Sequence, residues 1–324
     1  MPKILHTARY TGLPLEILQK ACPQGFEVKT LDELSQEQLV KEAFDADYFL
    51  VSGRLSIDKT VLDKAPHLKM IQRTGVGTDM LDKEEIKKRE IPVYVNAGVN
   101  ARSVAEHTLM LILATLKRLP QINEQMHHGV WKKQLSGVST NELFGKTVCI
   151  VGMGHIGRLV ASMLQPFQAK IIYTDIVRQS EAVEEELKLT YCDSFEKLLP
   201  LADVLTLHCP MVTENVEALN SSTLAMMKKG SVIINTARGK LINPDALYDA
   251  LKSGHIKAAA LDTHYEEPIK TGYMLAELDN VILTPHIGGL SYEAFESMMQ
   301  EAMRNIEAFE QGRLQEIEDK KLSL

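Results

Sequence analysis

Residues 148–164 read VCIVGMGHIGRLVASML. A continuous apolar run, VCIV, is followed by Gly152-x-Gly154-x-x-Gly157 and then by apolar residues at helical spacing. Glycines so spaced are by themselves a weak signal, because glycine-rich turns are common. The strand before them and the helix after them give each glycine a physical task. Gly152 permits a tight turn, Gly154 lets the backbone approach a pyrophosphate, and Gly157 lets the helix lie close to the strand. The helix N-terminus then faces the phosphates. A second apolar run, KIIYTD (170–175), ends in Asp175, about 20 residues on, where an acid meets the ribose hydroxyls of a dinucleotide. That carboxylate accepts from the 2′- and 3′-hydroxyls and repels a 2′-phosphate, so the pattern favours NAD over NADP. Arg178, three residues later, offers a phosphate partner and counts the other way. FAD or S-adenosylmethionine are rival occupants of such a loop.

Outward from this loop the chain alternates short apolar runs with amphipathic segments. Before it come KILHTA, FEVKT, YFLVS, KMIQR and IPVYV, separated by helical patterns such as DKTVLDKA and DKEEIKKRE. After it come DVLTLHC, SVIINTA, KAAALD and NVILTPH. Such β-α alternation predicts a parallel sheet with helices on its faces. The restart of the series at Thr147 predicts a second sheet. Between the two series, residues 101–119 form one long apolar helix whose apolar positions nearly encircle it, so burial between domains or subunits is expected. The last long pattern, SYEAFESMMQEAMRNIEAFEQGR, is an amphipathic helix.

The 324 residues suit two domains, and 45% hydrophobic with 24% charged residues is ordinary globular usage. Against 43 acidic residues stand 36 basic ones, a net charge of −7, which argues against nucleic acid or an anionic membrane as partner. Cys22, Cys149, Cys192 and Cys209 are scattered without a CxxC, which suggests a reducing compartment and neither a metal site nor a disulfide framework. The start MPKILHTARY is too short an apolar run for a signal peptide, and LMLILATL, closed by Lys117 and Arg118, is too short to span a bilayer. A cytoplasmic location is the expectation.

Ligands of open α/β sheets bind outside the carboxyl ends of the strands. Three such ends carry reactive residues: SVIINTA leads to Arg238, KAAALD to Glu267, and NVILTP to His286. Each alone reads as a surface arginine, a solvated acid and a core or surface histidine. Together, beside a dinucleotide loop, they suit hydride transfer to a 2-oxo acid. The guanidinium binds carboxylate and polarises the carbonyl, the imidazolium gives the proton, and the acid orients and charges the imidazole.

With these residues in place, the chain resembles the D-isomer-specific 2-hydroxyacid dehydrogenases. The resemblance runs through TGVGTDMLD (74–82), VAEHTLMLIL (104–113), VGMGHIG (151–157), NTARGKLINPDAL (235–247), LDTHYEEP (261–268) and TPHIGG (284–289). It implies Arg238, Glu267 and His286 as the catalytic set, with Glu267, directly before Pro268, as the histidine partner and Glu266 as a loop acid. It implies cofactor contacts at Val76, His155, Ile156, Asp175, Cys209, Thr236, Ala237 and Asp262, the last near the nicotinamide amide. It places the substrate carboxylate on the backbone N–H groups of Gly75, Val76 and Gly77, an anion nest. The resemblance usually brings valine and phenylalanine where this chain has Thr263 and His264, so His264 reads as structural.

The expected architecture is two doubly wound α/β domains. A Rossmann NAD-binding domain, residues 100–287, is inserted in a discontinuous flavodoxin-like substrate domain, residues 1–99 and 288–324. Substrate is expected to enter between them. The resemblance also implies a homodimer, with the helix 101–119 and the segment around Trp131 as interface candidates. Phosphoglycerate dehydrogenases of the family place an arginine where this chain has Ser52, although Arg54 lies two residues on; with the chain stopping at Leu324, small unphosphorylated 2-oxo acids are the expected substrates. D-3-phosphoglycerate dehydrogenase is the alternative within the class. A reading of another class is an NAD(H)-sensing corepressor, which keeps the same three residues.

Overall fold

The computed structural model describes residues 1–324. They divide into two compact units, Met1–Asn100 with Leu290–Leu324, and Ala101–Gly289. Residues 288 and 289, assigned to the first domain on sequence, fall in the second unit. The reason is local: the Gly288 N–H donates to the Asp262 carboxylate at 2.8 Å.

The first unit is built on a parallel sheet of five strands, β1 (Lys3–His6), β2 (Glu27–Thr30), β3 (Tyr48–Val51), β4 (Met70–Arg73) and β5 (Val93–Tyr94), in the order β2-β1-β3-β4-β5. Successive side chains of a strand face opposite sides, and both sides of this sheet are covered. Ile4, Tyr48, Leu50 and Met70 pack with Met298, Met299, Met303 and Ile306 of the helix Tyr292–Glu310. Leu5, Phe49, Val51 and Ile71 pack with Leu39, Val61, Leu62 and Ile86 on the other side. That double burial is why these strands read as unbroken apolar runs. Two of the short helices between them start where an acid caps them: Asp58 accepts from Val61 N–H and Asp82 from Glu85 N–H. The chain end returns to the sheet edge, with Leu322 N–H bonded to the Val93 carbonyl and Val95 N–H to the Lys320 carbonyl.

The second unit carries a seven-stranded parallel sheet: β6 (Thr147–Val151), β7 (Lys170–Thr174), β8 (Leu189–Tyr191), β9 (Val204–Leu207), β10 (Ser231–Asn235), β11 (Ile256–Leu261) and β12 (Val281–Leu283). The order is β12-β11-β10-β9-β6-β7-β8, so the chain reverses direction across the sheet between β6 and β9. A doubly wound sheet opens its binding crevice at such a switch point. Strand β8 escaped the sequence reading, because three residues, LTY, hold too little pattern to register. The helix Ala101–Lys117 precedes β6 in the chain. Its buried residues, Val104, Ala105, Thr108, Leu111, Ile112, Thr115 and Leu116 among them, form one broad stripe, while Met110 is exposed. No helix is long and apolar enough to cross a membrane.

Candidate active site

At the switch point β6 runs into Gly152, at φ 95°, a backbone conformation that favours glycine. A Cβ there would stand 2.7 Å from the Cys209 nitrogen and from the His208 carbonyl carbon, just past β9. On Gly157 a Cβ would lie 2.2 Å from the Gly152 oxygen. These two glycines therefore let strand, neighbouring strand and helix close on one another. Gly154 has open space around its missing Cβ and caps the ten-residue helix His155–Leu164 without any side-chain cap bond. The first N–H groups of that helix are left for an outside acceptor. Open approach at Gly154 and uncapped amides are what a pyrophosphate needs, so the loop fits NAD.

Asp175 follows β7, half-buried, and accepts from the Met153 and Val177 N–H groups. Its carboxylate both holds the glycine loop and keeps lone pairs for hydroxyls. Arg178 is engaged elsewhere. Its Nε and Nη2 donate to Glu184 at 2.9 and 2.8 Å, and its guanidinium lies 5.2 Å from the centre of the Tyr191 ring. Glu184 is held down to about 2 by Arg178 and by the Tyr173 hydroxyl.

The three polar strand ends lie along the same carboxyl edge. After β10, the buried Asn235 forms a clamp: its Oδ1 accepts from Ala237 N–H at 3.0 Å and its Nδ2 donates to the Arg238 carbonyl at 2.9 Å. Arg238 Nη1 donates to the Ala237 carbonyl at 2.8 Å. Thr236 shares a hydroxyl bond of 2.9 Å with Thr108. Gly239 lies so close to the loop after β11 that a Cβ would be 1.9 Å from the His264 carbonyl. This contact ties the arginine loop to the glutamate loop.

Glu267, and not Glu266, meets His286. Its Oε2 is 2.7 Å from His286 Nδ1, and its Oε1 accepts from His264 N–H at 2.9 Å. Burial pushes the Glu267 carboxyl up, but the bonds from His286 and His264 outweigh it and hold it below the ordinary value. Glu266 is exposed and pairs with Lys270 at 2.9 Å. His264 Nε2 lies 2.9 Å from the Thr284 carbonyl, which fixes Nε2 as the protonated nitrogen and the loop against β12. His286 has a left-handed backbone, φ 58°, and its Nε2 has no partner in the protein.

A second acid organises the histidine turn. Asp262 is 1% exposed. Its Oδ1 accepts from the Thr284 hydroxyl at 2.6 Å and Ile287 N–H at 2.9 Å, its Oδ2 from Gly288 N–H at 2.8 Å, and His107 Nε2 is 3.4 Å away. Burial alone raises its pKa; His107, Thr284 and the two N–H groups bring it down to about 2. The bonds from Thr284, Ile287 and Gly288 flank His286 on both sides, so Asp262 braces the turn that carries it. Neither Asn235 nor this use of Asp262 was read from the sequence; an Asn ending an otherwise apolar strand was the available signal for the first. Burial pushes the Cys209 thiol up to about 11, so it is not a thiolate at neutral pH.

In the first unit, the turn Gly75-Val76-Gly77 follows β4. None of its three N–H groups is bonded within the protein, and Val76 is exposed. Arg73, which the sequence reading passed over, lies under this turn: its Nε donates to the Gly77 carbonyl at 2.6 Å and its Nη1 to the Val51 carbonyl at 3.0 Å. Ser52, at the end of the neighbouring β3, bonds through its hydroxyl to His6 and, at 3.5 Å, to Tyr10. Burial pushes His6 down to about 3, so this cluster is neutral. Gly53, at φ 81°, turns the chain between Ser52 and the exposed Arg54.

A dinucleotide loop at a switch point, with a histidine–carboxylate pair and an arginine on the same sheet edge, defines a nucleotide-dependent oxidoreductase. The family model for the "D-isomer specific 2-hydroxyacid dehydrogenase, NAD binding domain" matches residues 109–288. A glyoxylate reductase of Thermofilum pendens is 36% identical over 317 residues, 97% of this chain and 93% of that one. A D-3-phosphoglycerate dehydrogenase of Methanocaldococcus jannaschii is 37% identical over 295 residues, but the chain spans only 55% of its length. Among solved structures, a D-lactate dehydrogenase of Aquifex aeolicus complexed with NAD and lactic acid superposes with a TM-score of 0.85 at 28% identity, over 99% of this chain and 98% of that one. The chain belongs to the D-isomer-specific 2-hydroxyacid dehydrogenase family, and it is an NAD-dependent oxidoreductase.

Proposed function

We propose that the protein reduces a small, unphosphorylated 2-oxo acid, such as hydroxypyruvate, glyoxylate or pyruvate, to the D-2-hydroxy acid. The observation that carries the reading is the anchored pair, His286 Nδ1 at 2.7 Å from Glu267 and Nε2 without a partner. In the reduction, bound NADH supplies the hydride to the carbonyl carbon. His286 gives its Nε2 proton to the carbonyl oxygen. Glu267 holds the ring and balances its charge, and Arg238 binds the carboxylate and polarises the carbonyl. The free N–H groups of Gly75, Val76 and Gly77 receive carboxylate oxygens. Asp175 favours NAD, a preference supported by the engagement of Arg178 with Glu184. His155, Ile156, Cys209, Thr236 and Ala237 flank the cofactor, and Asp262 acts there through the turn it braces.

Ser52, whose hydroxyl bonds to the neutral His6 and Tyr10, offers none of the charged, forked donors that a phosphate dianion favours, and this supports an uncharged C3 group. The deciding measurement is kcat/KM for hydroxypyruvate against 3-phosphohydroxypyruvate in one buffer. At least a tenfold advantage for hydroxypyruvate is expected. A large advantage for the phosphorylated acid, lost in Arg54→Ala, overturns the substrate reading.

Glu267→Gln keeps the shape and removes the charge that favours imidazolium. Reduction uses the protonated ring, so kcat in this variant is expected to fall at least about tenfold, with NADH affinity little changed. An unchanged kcat means that the glutamate does not serve the histidine.

A cytoplasmic homodimer is part of the same reading. All four cysteines are free. Leu119, Met126, Trp131, Leu135, Val138 and Phe144 are exposed on a segment whose two helices bury none of their own residues. So large an apolar display suits a second copy of the chain. A monomer in sedimentation at micromolar concentration contradicts it.

A further inference from the structure

At the amino-terminal edge of the seven-stranded sheet, β11 and β12 begin beside the end of the helix Ala101–Lys117. A cavity of about 40 Å³ opens there, lined by Thr115, Arg118, Gln121, Lys257, Asn280 and Ile282. A water position needs roughly 10–15 Å³ measured this way, so the space takes roughly three, comparable to a small oxyanion. Lys257 is the second residue of β11 and Asp262 follows that strand's end. Five residues at ~3.3 Å each put the cavity ~16 Å from the catalytic edge.

Two cations line this cavity and no acid does. Arg118 has no side-chain partner, and Lys257 Nζ donates only to Asn141 Oδ1. Burial and the neighbouring charges of Arg118 and Lys146 lower the lysine's pKa. In a chain with net charge −7, gathering unpaired cations in a recess is a cost that a bound anion removes. The Thr115 hydroxyl, on a residue 5% exposed, has no hydrogen-bond partner. Gln121 is oriented by its Nε2, which donates to the Asp279 carbonyl, and this leaves its Oε1 as an unpartnered acceptor.

We infer that this cavity is a binding site for a small oxyanion that also carries a hydroxyl. The oxyanion accepts from Arg118, Lys257 and Thr115, and its hydroxyl donates to Gln121 Oε1. Hydrogen phosphate has this chemistry, and so does a 2-hydroxy carboxylate. Sulfate has the charge without the hydroxyl. The site lies apart from the reacting groups, so occupancy does not require competition with substrate.

The test is a thermal unfolding series on the whole protein at constant ionic strength, with inorganic phosphate, sulfate or L-lactate added. A saturable rise in Tm of about 2–4 °C at millimolar anion is expected. Sulfate is expected to need at least fivefold higher concentration. A response to phosphate identifies free phosphate as the source, and a response to L-lactate alone identifies a hydroxy acid. The response is expected to vanish in Arg118→Gln and in Lys257→Met. The near-isosteric Thr115→Val, which keeps both charges and the packing, is expected to weaken it, and serves if the charge variants do not fold. No response to either hydroxyl-bearing anion, equal potency of sulfate, or an undiminished response in the variants overturns the proposal.

Discussion

His286→Ala is expected to lower kcat for 2-oxo acid reduction by about two to four orders of magnitude, the usual worth of a positioned general acid. NADH affinity, measured by fluorescence titration, is expected to change little, because the loop at Gly152–Gly157 and Asp175 is untouched. The backbone complicates the choice of variant. His286 has φ 58°, a conformation that costs an alanine more than an asparagine. His286→Asn therefore serves as the paired variant: it tolerates the turn but cannot donate a proton from an imidazolium. A similar loss in both variants assigns the loss to chemistry. Near-normal turnover in either one removes His286 from the reaction. A loss in alanine alone assigns it to strain in the turn.

Asp262→Ala is expected to be the most destabilising of the substitutions considered, by about 3–5 kcal/mol, the range found when one partner of a buried polar pair is removed. Three donors lose their acceptor at once, the Thr284 hydroxyl and the Ile287 and Gly288 N–H groups, while His107 loses the nearby acid and keeps Thr284 Oγ1 at 3.1 Å. Each buried donor left unmade costs about 1–3 kcal/mol, offset in part by relaxation. The turn carrying His286 then loses its anchor, so activity falls with stability. Asp262→Asn, which keeps one acceptor and turns an amide toward the N–H groups, is expected to fall between. The acid also carries a pH signature. Its pKa is about 2 in the fold against ~3.9 in an unfolded chain. A depressed acid contributes stability that is complete above the unfolded value and is lost as pH falls through the folded one. About 2–3 kcal/mol should therefore disappear between ~pH 5 and ~pH 2. Urea midpoints of the parent and of Asp262→Asn across that range check this, since the variant lacks this component of the decline. Parallel declines in the two proteins remove Asp262 from the role of brace.

Much of the fold was legible because its signals are local. An apolar run buried on both faces shows in four or five consecutive residues, as in YFLV and SVIIN. A glycine loop announces itself in six. Strand-end positions follow from the strands, so Arg238, Glu267 and His286 could be read as candidates before any contact was known. Strand β8 stayed hidden because three residues, none of them fully buried, are too few to show a period.

The tertiary structure alone decided which bonds those residues make. That Arg178 spends itself on Glu184 depends on the helix after β7 folding back over Tyr191. The clamp of Asn235 on Ala237 and Arg238, and the brace of Arg73 between Val51 and Gly77, depend on how the backbone turns at a strand end. The convergence of Thr284, Ile287, Gly288 and His107 on Asp262 requires β11 and β12 in register and the helix Ala101–Lys117 laid against them. A sequence by itself determines what each residue can donate, accept or bury. Which donor meets which acceptor is set by the register of strands distant in the chain, and no local pattern encodes that distance.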